Sequence, residues 1–343
     1  MLTAVRRAAL APLWAAQLLT GAKSFERNLV IGSRRLNAWG LHETRVRLAH
    51  RLAAARRRRL ASLITPSDRS DFERDGFVMR PNFLPAAEFT ALRAQVAAYC
   101  GALRECSEGD TLMRKVALDP GALTAMPALR ALLALPQWRG LIRYVGARDA
   151  EPVVWVQSLW RHACDGPDDP QTALHADTFH PTVKAWLFLS DVGAEAGPFT
   201  YVPGSHRLTP QRLAWERRMS LAARESGIAE IREGSFRIAA EELKELGLPP
   251  PRAFAVPANT LVVADTFGFH ARGPSQGRSL RVEIWAYGRR SPFLPWTPLD
   301  LLSGPALARR SLLLWRIADV AERAGLGHNR WRPRPEVSAF DPP

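Results

Sequence analysis

Two histidines and an aspartate stand where metal ligands would. His175-Ala176-Asp177 lies between two strand-like runs, and His270 closes a later one. On an extended segment residues i and i+2 point the same way, so His175 and Asp177 can reach one ion together. Two imidazoles and a carboxylate on one face of an octahedral ion leave three positions open, the arrangement with which non-haem Fe(II) oxygenases admit a cosubstrate and O2. In a chain with eight histidines a His-x-Asp tripeptide recurs by chance, so its surroundings decide. Arg281 follows His270 by 281 − 270 = 11 residues, in the run Leu280-Arg281-Val282-Glu283-Ile284-Trp285, on the face opposite Leu280, Val282 and Ile284. A guanidinium there can grip the far carboxylate of a dicarboxylate whose other end chelates the ion. The competing reading pairs Arg281 with Glu283, and Arg278 is the fallback anchor.

The elements that would position these groups are strands. Val153 to Leu159, Ala185 to Leu189, Phe199 to Val202, Thr260 to Ala264 and Leu280 to Ala286 are short β-rich runs bounded by Gly, Pro, Asp or Asn. Without long helices between most of them, they predict an antiparallel sandwich or barrel rather than a parallel α/β sheet. Ser67 to Phe83 leads in with a polar turn, a short helix and the hydrophobic exit Gly76-Phe77-Val78. Residues 84–145 read as helical, with Phe89, Leu92, Val96 and Tyr99 at helical spacing and Pro120, Pro127 and Pro136 as punctuation. A charged, helix-prone insertion spans about 207–251, ending in Pro249-Pro250-Pro251. A last amphipathic helix, roughly Ala306 to Ala324, is expected to pack Leu312, Leu313, Leu314 and Ile317 before a Pro/Arg-rich tail. The chain thus divides into a basic helical extension (1–66), a catalytic domain (67–292) and a C-terminal helix with its tail (293–343).

These motifs resemble the phytanoyl-CoA dioxygenase family of Fe(II)/2-oxoglutarate oxygenases over roughly Ser70 to Ser291. The resemblance rests on His175-Ala176-Asp177, on Trp186-Leu187-Phe188-Leu189-Ser190-Asp191, on the block from Gly197-Pro198 to Pro203-Gly204-Ser205-His206-Arg207, and on His270 followed by Arg281. It implies a mainly β fold with flanking helices, a double-stranded β-helix or jelly roll. It also implies iron on His175, Asp177 and His270, with 2-oxoglutarate held by the iron and Arg281 and O2 as the oxidant. Trp186 and Gln157 would line the cosubstrate pocket. His206 matches a turn-shaping position, His180 a mouth or outer position, and His162 has no role. Halogenating relatives replace the carboxylate with a small residue; Asp177 is present, which favours hydroxylation of an unactivated C–H bond. The stretch from Asp177 to Trp186 is short for the family, so the substrate rim is remodelled. The alternative is a non-catalytic jelly roll that binds a lipid or a partner.

An apolar fraction of 47% and a charged fraction of 23% are those of an ordinary globular protein and exclude wholesale disorder. The charge is lopsided. Residues 1–60 carry thirteen Lys and Arg against Glu26 and Glu43, or +11, so the formal total of +14 leaves only +3 for the rest. From Glu43 to Leu60 the apolar and arginine positions alternate as on a basic helix with one greasy side. Such a helix, with Trp14 and Trp39 at the headgroup boundary, suits peripheral contact with an anionic membrane; a solvated arm, or a helix packed on its own domain, is the plainer reading. The four-arginine run lacks interleaved stacking aromatics, which disfavours nucleic acid. Cys100, Cys106 and Cys164 are an odd set without zinc spacing, as expected of reduced thiols in a cytoplasmic protein. No run reaches the length of a spanning helix. Ala8 to Ala22 after Arg6-Arg7 has some features of an export signal, against which Pro12 and Gln17 count. The expected substrate is a small molecule or lipid-like compound, met in the cytoplasm or at the inner face of a membrane.

Overall fold

A computed structural model describes residues 4–167, 169–288, 290–294 and 310–343. Eleven strands are named in chain order: β1 (Phe77–Arg80), β2 (Leu103–Glu108), β3 (Thr111–Ala117), β4 (Val153–Arg161), β5 (Val183–Phe188), β6 (Phe199–Tyr201), β7 (Arg252–Ala253), β8 (Leu261–Asp265), β9 (His270–Arg272), β10 (Ser279–Gly288) and β11 (Arg332–Pro333). They form an antiparallel sheet ordered β1-β8-β5-β10-β4-β3-β2-β11 and a small sheet ordered β7-β6-β9. Single bridges from His175 to His270 and from His175 to Arg237 widen the small sheet by two more extended segments. The fold is mainly antiparallel β with flanking helices, a jelly roll.

Alternation along the central strands sorts two environments. On β10, Val282, Ile284 and Ala286 join Ala185 and Leu187 of β5 in a core that also contains Leu92, Leu129 and Trp138. Each such aliphatic side chain contributes about 1.5–3 kcal/mol by leaving water. That core is roofed by α5 (Ala86–Ala98), α6 (Pro120–Ala125), α7 (Pro127–Ala134) and α8 (Pro136–Val145), which follow the N-terminal helices α1 (Ala4–Gln17), α2 (Arg34–Ala38), α3 (Leu41–Leu60) and α4 (Pro66–Asp75). On the opposite face Trp186 and Phe188 of β5 meet Phe199 and Tyr201 of β6 between the sheets.

Three sequence expectations change here. Residues 84–145 are not all helix: β2 and β3 form a hairpin in register Leu103↔Val116 to Glu108↔Thr111, turning at Gly109, whose φ is 58°. Its alternation is disguised because Arg114 and Glu105 are buried and ion-paired at 2.9 Å. The basic helix α3 is not a free arm. Arg45 donates to the carbonyls of Leu18, Thr20 and Ala22, Arg56 to those of Ala147 and Pro292, and Arg57 to Asp265 at 2.8 Å. Trp14 is buried, while Trp39 is exposed under the Arg35 guanidinium at 4.7 Å. The insertion carries α9 (Pro210–Ala222), α10 (Ala229–Arg232) and α11 (Ala240–Glu245). Last, α12 (Arg310–Arg323) packs through Trp315 and Leu312. Leu313 and Ile317 are 56% and 54% exposed, so the expected four-residue face is wrong; residues 306–309 lie outside the described residues.

Candidate metal centre

The backbone fixes the ligands first. His175 and His270 exchange N–H···O bonds of 2.9 Å in both directions, and the Asp177 amide donates to Thr266 at 2.9 Å. The His175 Nδ1–H then donates to the Ala173 carbonyl at 2.8 Å and the His270 Nδ1–H to the Gly268 carbonyl at 2.9 Å. These bonds select the tautomer whose Nε2 carries a free lone pair, the usual orientation of metal-binding imidazoles. Both Nε2 atoms point at the Asp177 carboxylate, 3.7 and 3.6 Å from its Oδ1. One ligand atom from each of the three residues lies within 4.8 Å of the others. Burial, then the charge of His270, holds His175 well below its ordinary pKa, so it is neutral. Burial works against the Asp177 charge, but Lys184 and His270 outweigh it and the carboxyl sits well below its usual range. Two imidazole nitrogen donors and an ionised oxygen donor on one face fit a divalent first-row ion.

A cavity of about 270 Å³ opens beside the triad and is lined by Lys115, Gln157, Lys184, Trp186 and Arg281 as well as both histidines. The structure therefore gathers the three sequence-expected pocket residues with the two histidine ligands. Arg281 does lie beside Glu283, Nε to Oε2 at 2.9 Å, and its Nη1 donates to the Gly197 carbonyl at 2.9 Å. Gln157 donates to the other Glu283 oxygen at 2.7 Å. Both readings of Arg281 thus hold geometrically: it is ion-paired and it faces the cavity. Trp186 lies against Phe199, ring centroids 4.1 Å apart. Arg278 is exposed and off the cavity wall. His206 is buried beside the Phe72 ring, His180 is buried with Nδ1 on the Pro181 carbonyl, and His162 pairs with Asp110 at 2.6 Å.

Three cavity cations, Lys115, Lys184 and Arg272, were not anticipated from the sequence. Lys184 places Nζ 2.7 Å from Asp177 Oδ2; its direction follows from sharing a strand face with Trp186 two residues on. Lys115 comes from the hidden hairpin. Its ammonium lies 4.4, 4.9 and 5.6 Å from the ring centroids of Trp285, Trp331 and Trp155. Burial lowers its pKa to about 8. Among the described residues it has no ion-pair partner, whereas Lys184, Arg272 and Arg281 are engaged by Asp177, Asp169 and Glu283.

Gly268 couples the β8–β9 turn to the metal ligand. A Cβ there would overlap the Tyr201 hydroxyl and approach Ser205 Oγ at 3.0 Å. Gly268→Ala should therefore cost about 1–3 kcal/mol of stability, as overpacking does, and displace the carbonyl that orients His270. Denaturant titration with a parallel metal titration checks both effects.

A metal face of this kind, opening on a cation-walled cavity between two antiparallel sheets, marks an enzyme of the 2-oxoglutarate-dependent oxygenase type. Residues 72–242 match the family model described as phytanoyl-CoA dioxygenase (PhyH), and through them the chain belongs to that family. Among solved structures it is similar to the epimerase SnoN in complex with Fe3+, alpha ketoglutarate and nogalamycin RO. Identity is 20% over 66% of this chain and 83% of that one, with a TM-score of 0.42. The carbocyclase SnoK from nogalamycin biosynthesis is 21% identical over 66% and 84%, with a TM-score of 0.42. HygX from Streptomyces hygroscopicus, with nickel, 2-oxoglutarate and hygromycin B bound, is 16% identical over 66% and 87%, with a TM-score of 0.41. No curated protein matches the chain.

Proposed function

We propose that this protein is an Fe(II)- and 2-oxoglutarate-dependent hydroxylase of a small-molecule or lipid-like substrate. The observation that carries the reading is the His175–Asp177–His270 cluster, whose two histidines line a cavity that also presents Arg281 and Lys115. His175, Asp177 and His270 hold the iron. Arg281 and Lys115 hold the distal carboxylate of 2-oxoglutarate, Arg281 through its planar fork and Lys115 as a point charge; Trp186 and Gln157 wall the space between. When bound, iron and 2-oxoglutarate supply oxidation of a substrate C–H bond by O2, with release of succinate and CO2. The chain's own work is to hold three ligand atoms on one face, leave the opposite face open, and neutralise a dicarboxylate in a site walled by tryptophans. Retention of Asp177 supports hydroxylation over halide transfer.

The test is anaerobic titration with Fe(II) and 2-oxoglutarate, followed by the visible charge-transfer band of the chelate. Absence of the band together with absence of 2-oxoglutarate binding would leave the non-catalytic binding-protein reading in its place. A pH series examines Lys115. Because its ammonium loses its proton from about pH 8, 2-oxoglutarate affinity should decline above that pH in the wild type and not in Lys115→Met. Glu108, Cys106, Lys184 and Glu283 are the other titratable groups whose charges act on it. The sign for stability is opposite. With the folded pKa below the unfolded one, Lys115 lowers stability below about pH 8, and that penalty is relieved as pH rises.

The lipid-like end of the substrate range, and peripheral contact of residues 1–60 with an anionic membrane at its cytoplasmic face, draw support from exposed apolar side chains. Leu13, Leu19 and Trp39 are 54%, 71% and 70% exposed, on a segment of net +11. No helix among the described residues is long and apolar enough to cross a membrane. Salt-sensitive flotation with anionic vesicles, and none with DNA, is the expected result.

A further inference from the structure

The unexpected neighbour of the metal face is Lys184. Its Nζ lies 2.7 Å from Asp177 Oδ2, 3.0 Å from Asp177 Oδ1 and 3.4 Å from His270 Nε2. The ammonium therefore satisfies both oxygens of the carboxylate and also sits against a second ligand atom. A first-row ion ligated by these groups would lie about 2.0–2.2 Å from each donor atom, within a few ångströms of the Lys184 ammonium. In a partly desolvated site that repulsion is weakly screened.

We propose that Lys184 is a built-in rival of the metal for Asp177, and that it makes metal retention depend on the anionic cosubstrate. The proposal rests on the 2-oxoglutarate reading for its second half only. The ammonium has room to withdraw: Lys184 also borders a second cavity of about 210 Å³, lined by Thr182, Thr266, Trp285 and Tyr287 as well as by Asp177. That wall carries no carboxylate except Asp177 itself. On that side the anion for a displaced ammonium would have to come with a ligand, and 2-oxoglutarate bound at the metal would bring a carboxylate into the site. Metal and cosubstrate then tighten each other, reciprocally as linkage requires. Lys184 acts here as a positioning residue, through Asp177 rather than on the substrate.

The experiment is a four-cornered metal titration. Binding of Co(II), and of Fe(II) without oxygen, is measured for wild type and Lys184→Met, with and without 2-oxoglutarate. Without cosubstrate the Met variant should bind metal tighter by about tenfold or more, a common size for coupling between sites. Cosubstrate should tighten metal binding less in the variant than in the wild type, by a similar factor. Equal or weaker metal binding by Lys184→Met would overturn the proposal and make the lysine a prop that orients Asp177. Lys184→Arg covers the case in which the Met variant does not fold. Its fork grips both carboxylate oxygens, so metal alone should bind no more tightly than in the wild type, and tighter binding would count against rivalry. Thermal midpoints separate a general structural defect, which lowers metal-free and metal-loaded protein alike, from rivalry, in which only the metal-free variant is weakened. If neither protein binds 2-oxoglutarate, the hydroxylase reading fails, and the metal-only arm still decides whether Lys184 competes.

Discussion

In Arg281→Ala, 2-oxoglutarate binding should weaken by about 1.5–3 kcal/mol, the range for a hydrogen bond to a charged group, and the fold should lose about 3–5 kcal/mol as well. The second loss follows from Glu283. That carboxyl is fully buried, and the two groups that face it are Arg281 and Gln157. Removing the guanidinium strands a charge in the interior, which costs more than the pair contributes when intact. Burial already raises the Glu283 pKa, with Arg281 opposing the rise, so the variant's carboxyl takes up a proton more readily still. The pH dependence has a definite sign. A carboxyl whose folded pKa lies above its unfolded value binds more protons when folded, so stability falls as pH rises through that window. The deficit of Arg281→Ala should therefore be small in acid and full at neutral pH. Arg281→Ala/Glu283→Gln separates the two roles: stability should largely return while cosubstrate affinity does not. Unchanged 2-oxoglutarate affinity in the single variant would move the anchor to Lys115. Denaturant midpoints at two pH values, with the anaerobic cosubstrate titration, read out all of this.

The strands that hold the site were legible because their hydrophobic runs are short, β-branched and bounded by turn residues, as in Val153 to Leu159 and Leu280 to Ala286. His175 and Asp177 were legible because a period of two on an extended segment puts both on one side. Other parts were hidden by charge inside the molecule. Arg114 and Glu105 neutralise each other within the sheet, so the β2–β3 hairpin read as polar and helical, and Lys115 was lost with it. Arg45, Arg56 and Arg57 looked like the wet face of a membrane helix, yet each spends its donors on carbonyls at the ends of neighbouring elements. Composition reports how many arginines an element has and not how many carbonyls wait for them. The choice between Arg281 as anchor and Arg281 as partner of Glu283 stayed open for a related reason. Residues i and i+2 share a strand face, so alternation allows the pair and the cavity lining at once.

The other large effect belongs to His175→Ala. Loss of an outer partner of a metal ligand typically costs 10–100-fold in affinity, so loss of the ligand itself should exceed about 100-fold and abolish the charge-transfer band and turnover together. The fold should survive. The two bonds that tie this segment to His270 are made by main-chain atoms, at 2.9 Å each way, and they persist in an alanine variant. The imidazole is buried and neutral, so its removal strands no charge. It frees the Ala173 carbonyl, which water admitted to the adjoining cavity can satisfy. His162→Ala is the matched control, a histidine paired with Asp110 and outside the triad, and should leave metal binding untouched. If His175→Ala kept its metal and its band while His162→Ala lost them, the centre would have to be sought elsewhere in the chain. If both variants kept them, the band would not report this site at all.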